Sequence, residues 1–127
     1  MSRTAVLTSL SAAAVLAAGT TLATAVPAAG DTERTARCGG ALASLSVDRE
    51  DGALEVDADV DGARPGSRWR VVLRHEGRVV ADRVLRADRE GELDLDRVRP
   101  DTPGRDTFRL TVDRRGPADP CSVRVVV

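Results

Sequence analysis

Beyond residue 40, apolar side chains recur at every second position in short runs, and Gly, Pro and Asp separate the runs. The clearest run is 54–60. Leu54, Val56, Ala58 and Val60 alternate with Glu55, Asp57 and Asp59, the period of a strand with one buried face. The same pattern predicts strands over 41–47, 68–74, 79–85, 92–96, 107–112 and 121–127. Inward positions are Leu45 and Val47, then Trp69, Val71 and Leu73, then Leu93 and Leu95, then Phe108, Leu110 and Val112. Gly77, in His75-Glu76-Gly77, supplies the positive φ of a hairpin between the third and fourth strands. The fourth strand has no clear inward face, because one residue of loop length reverses it. Sustained helical periodicity is missing from this part of the chain, and so is any repeat. The expectation is an all-β fold, a seven-stranded antiparallel β-sandwich.

The N-terminus follows a different pattern. Met1, Ser2 and Arg3 form a short basic start, residues 5–18 are apolar, and Ala23-Thr24-Ala25 and Val26-Pro27-Ala28 offer small residues for cleavage. The run is rich in Ala, broken by Thr8, Ser9 and Ser11, and weaker than the roughly 20 strongly apolar residues of a membrane span. This predicts a signal peptide over 1–28, a flexible lead-in over 29–37 and the sandwich over 38–127, with the protein secreted and free of the membrane after cleavage. Export changes what the cysteines mean. Cys38 and Cys121 are the only two, and in an oxidising compartment they are expected to form one disulfide.

The single Trp of "RWRVVLRHEGRVV" and the Pro/Gly corner of "RPDTPGRDTFRLTV" resemble immunoglobulin-like and fibronectin type III-like sandwiches. In such domains the first, second and fifth strands share one sheet, and the third, fourth, sixth and seventh share the other. Phe108 stands where the tyrosine corner of that group has its Tyr, and the cysteines flank the first and last strands rather than joining the second and sixth. With "EDGALEV", "RWRVVLRHEG" and the pair Cys38 and Cys121, the chain is also similar to small secreted actinobacterial proteins of unknown function. That resemblance implies no activity and carries over no functional residue.

Composition then narrows the chemistry. All 19 basic residues are Arg, and the formal net charge is -1, without the basic excess of a nucleic-acid binder. Asp57-Ala58-Asp59-Val60-Asp61-Gly62 matches half of a calcium loop, but Arg68 occupies the twelfth position, where a bidentate carboxylate is required. The strand reading explains the apolar positions as well as the acids, so no metal site and no cofactor is expected. His75 has no Ser or Cys partner in a recognisable motif and reads as a solvated turn residue; no catalytic residues are predicted, and the chain is expected not to be an enzyme.

The outward positions do segregate by charge. Glu55, Asp57, Asp59, Glu92, Asp94 and Asp96 fall on one sheet, and Arg68, Arg70, Arg74, Arg109 and Arg124 on the other. The six acids form the candidate interaction face. The function expected is a secreted, non-enzymatic module that binds a protein or cell-surface polymer through a charged face or loops. The alternative is a small-molecule carrier of the secreted chromoprotein type.

Overall fold

The computed structural model describes residues 32–114 and 120–127. The signal-peptide reading of 1–28 lies outside the described residues. Eight strands follow in order: β1 (Thr32–Cys38), β2 (Ala41–Glu50), β3 (Ala53–Asp61), β4 (Arg68–His75), β5 (Arg78–Arg86), β6 (Leu93–Pro100), β7 (Thr107–Arg114) and β8 (Cys121–Val126). They form two four-stranded sheets, ordered β1-β2-β3-β6 and β5-β4-β7-β8, with every pairing antiparallel. The all-β expectation holds, as does the division of the strands between sheets.

The strand count and the lead-in are corrected. Most of 29–37 is not a loose connection, because Thr32–Cys38 pairs along β2 as an eighth strand. Its sequence hides it: Glu33, Arg34, Thr35 and Arg37 are exposed, and only Cys38 is fully buried. A charged edge strand needs little apolar surface; it occupies the hydrogen-bonding edge of β2 and its charges discourage pairing with other chains. The signal available was Gly39-Gly40, a two-residue hairpin connection with Gly39 at φ 67°. β6 is also longer than expected, continuing through Arg97, Val98 and Arg99 to Pro100.

Two other hairpins use two-residue turns with both central residues at positive φ. Asp51 and Gly52 join β2 to β3, and Glu76 and Gly77 join β4 to β5. This geometry matches the right-handed twist of paired strands. On β5, Leu73 pairs with Ala81 while Arg74 pairs with Val79, which leaves Val80 as a bulge. The bulge breaks the alternation of β5 and explains why its inward face could not be read from the sequence.

The two sheets close on one core. Trp69, Leu73, Val56, Phe108 and Leu110 belong to a single buried cluster with Leu45, Leu54 and Val60. Burying each large apolar side chain of this kind stabilises a fold by roughly 1.5–3 kcal/mol. At one end of the molecule Cys38 and Cys121 are bonded, with Cα atoms 5.5 Å apart. The bond joins the edge strand of one sheet to the edge strand of the other.

Candidate functional site: charged sheet faces and a buried histidine lock

Strand alternation, once locked to the core, fixes the outer faces. The pairing of β3 with β6 places Asp57 opposite Asp96 and Asp59 opposite Asp94. On their other side Asp57 and Asp59 meet Ser46 and Ser44 of β2, not cations, while Asp94 and Asp96 lie on the edge strand of the sheet. No arginine lies within ion-pair distance of the four aspartates among the described residues. Glu55 is exposed on the same face but lies opposite Val98, and Glu92 stands just before β6. The six predicted residues therefore share a face, with four of them in direct cross-strand pairs.

The electrostatic consequence is measurable. Partial burial, the proton shared with Asp94 and the charges of Asp94, Asp57 and Asp61 push the Asp59 carboxyl up to about 6. The Asp57 carboxyl is raised by burial and then by Asp96 and Glu55. Glu92 is raised chiefly by the charges of Asp61 and Asp88. Like charges directly opposite one another weaken a sheet.

The other outer face carries the opposite sign. β4, β7 and β8 place Arg74 opposite Arg109, and Arg109 opposite Arg124, in one row. Arg68 lies opposite Arg86 on the β4–β5 pair. Arg70 is neutralised within the face: its Nε and Nη2 donate to Asp82 at 3.0 and 2.7 Å. Arg74, Arg109 and Arg124 make no ion pair or side-chain hydrogen bond among the described residues.

His75 is the main correction. It is not a solvated turn residue; it is buried at the end of β4, where it pairs with Phe108 and stacks on its ring at 4.2 Å between centroids. Its Nε2 lies 2.6 Å from Oδ1 of the fully buried Asp106, and Arg99 Nε donates to its Nδ1 at 3.5 Å. An acceptor role for Nδ1 puts the proton on Nε2, which then donates to Asp106. The Thr102 hydroxyl and N–H also donate to Asp106, at 2.5 and 3.3 Å. Burial alone would raise the Asp106 carboxyl, but the bonds from Thr102 and His75 outweigh it and hold the carboxyl below its usual range. Glu76, at φ 49°, accepts the Thr107 N–H at 2.5 Å through its side chain, an acceptor that glycine at that position would lack.

The signal for His75 was present and missed. Trp69, Val71, Leu73 and His75 form one period-two series, so His75 belongs to the inward face. Asp106 gave no such signal, because its partners are His75 of β4, Thr102 of the β6–β7 corner and the backbone of Val127 after β8.

Ligand atoms of His75, Glu76 and Asp106 lie within 4.8 Å of one another, a spacing a metal ion could span. The chemistry opposes that use. A cation on Nε2 would send the imidazole proton to Nδ1, against the Arg99 guanidinium, whereas metal-bound His normally donates its other N–H to an acceptor. The group is arranged as a lock. It fastens the β4–β5 hairpin to the corner before β7, at the end of the molecule away from the disulfide.

That opposite end holds a recess of about 320 Å³ beside the disulfide, lined by Trp69, Val112, Arg64, Arg114 and the glycine loops. No family model matches the chain, and neither a characterised protein nor a solved structure matches it.

Proposed function

We propose that the chain is an exported, immunoglobulin-like, non-enzymatic binding module that engages a protein or cell-surface polymer through its charged sheet faces. The observation that carries this reading is the pairing of Asp59 with Asp94 and of Asp57 with Asp96, without a neutralising cation among the described residues. These pairs cost stability, and binding is the gain that offsets the cost. The disulfide and the histidine lock support the same reading, since they stiffen both ends of the scaffold that presents the faces. The disulfide also fits an oxidising, extracellular location. The division of the strands between the sheets accords with the immunoglobulin-like assignment.

The test is retention of a partner from culture supernatant and cell wall on the immobilised protein. Specific retention that salt elutes supports the reading; no retention at low ionic strength contradicts it.

A second reading, a small-molecule carrier, draws on the recess beside Trp69. Its volume lies at the lower limit of ligand pockets, about 300 Å³. Saturable quenching of Trp69 fluorescence by a small-molecule extract of the supernatant supports that reading, and an unchanged spectrum opposes it.

A further inference from the structure

We propose that the arginine row of one copy docks on the aspartate ladder of a second copy, so that the protein stacks head to tail. The inference rests on the reading of the charged faces as binding surfaces, and it names the partner.

The two faces are complementary in sign and form. One presents Arg74, Arg109 and Arg124 at successive strand positions; the other presents Asp57 with Asp96 and Asp59 with Asp94. Both arrangements repeat across neighbouring strands, about 4.8 Å apart, so guanidinium and carboxylate groups meet at matching intervals. Arginine presents a planar fork that suits carboxylates, which favours this pairing over a diffuse attraction. Neither set forms an ion pair within its own face among the described residues, whereas Arg70 is already paired with Asp82. A formal net charge of -1 means that whole copies scarcely repel one another.

The faces lie on opposite sides of the core, so the contact is heterologous. It cannot close as a two-fold dimer, and each added copy presents a new free face. From strand spacing and rise, a four-stranded face of eight residues covers roughly 400–500 Å². The total buried per contact is then below about 1,200 Å², the range of weak, transient interfaces. The stack is therefore expected at low ionic strength and high concentration, as a continuous series of oligomers.

Sedimentation velocity of the purified protein tests this. At low salt the average sedimentation coefficient should rise with concentration without a dimer plateau. At high salt it should return to the monomer value. Arg109→Glu/Arg124→Glu reverses two of the three charges of the arginine row, and Asp59→Arg/Asp94→Arg reverses one of the two aspartate pairs. Each variant alone should stay monomeric while keeping a cooperative melt, and an equimolar mixture of the two should associate again. A wild type that is monomeric at low salt overturns the proposal, as does undiminished association of either variant or a mixture of folded variants that stays monomeric. A monomeric wild type that still retains a supernatant or cell-wall partner removes only the self-stacking and leaves the binding-module reading in place. Failure to retain any partner, with stacking intact, removes the foreign partner instead.

Discussion

Asp59 of β3 stands directly opposite Asp94 of β6, and the Asp59 carboxyl is pushed up to about 6 by partial burial and by its partner. The folded protein therefore holds a proton there that the unfolded chain releases near the ordinary Asp value of 3.8. Stability from this site is full below about pH 4 and is lost as pH rises through about 6. Asp94→Asn should stabilise the fold at pH 7 by roughly 1 kcal/mol, a figure reduced for solvent screening. Denaturant titration at pH 7 and pH 4 checks this: the gain should vanish at the lower pH.

Asp106 has the opposite sign. Its carboxyl is held below its usual range, so its contribution is present above about pH 4 and is lost as pH falls through the folded value. Asp106→Ala strands a buried imidazole N–H and frees the Thr102 donors. Breaking a buried polar pair in this way should cost about 3 kcal/mol at pH 7. Equilibrium unfolding measures the loss, and the NMR signals of Thr102, Glu76 and Thr107 should shift with it.

The core and the charged faces were legible because both follow from one rule. Once Leu54, Val56, Ala58 and Val60 face in, Glu55, Asp57 and Asp59 face out, and the order of the strands brings β6 alongside. The same rule, carried one step beyond Leu73, places His75 inside. β1 was obscure because an edge strand of Glu, Arg and Thr carries almost no apolar period. The histidine lock was obscure because its residues lie far apart in sequence: His75 and Asp106 are separated by 31 positions and meet only after both sheets have packed.

The disulfide joins residues 83 positions apart. On chain-entropy grounds its reduction should lower stability by about 4–5 kcal/mol. Unfolding with and without reductant measures the difference. Two reactive thiols in the native protein would contradict the bond.

Gly91 sits at φ 81°, and a Cβ there would overlap the Ala63 carbonyl, whose own N–H donates to the Gly91 carbonyl at 3.0 Å. Gly91→Ala has no low-energy backbone to adopt and must separate the β3–β4 and β5–β6 loops. The expected loss is about 2 kcal/mol or more, read from the thermal midpoint.

The charged faces as binding surfaces are the central claim, and partner retention by a charge-reversed protein tests it most directly. Asp57→Arg/Asp59→Arg/Asp94→Arg should keep the wild-type fold by circular dichroism, because all three side chains point away from the core. Immobilised beside the wild type at low ionic strength, it should lose every supernatant or cell-wall partner that salt elutes from the wild type. Undiminished retention by the folded, reversed protein would contradict the claim.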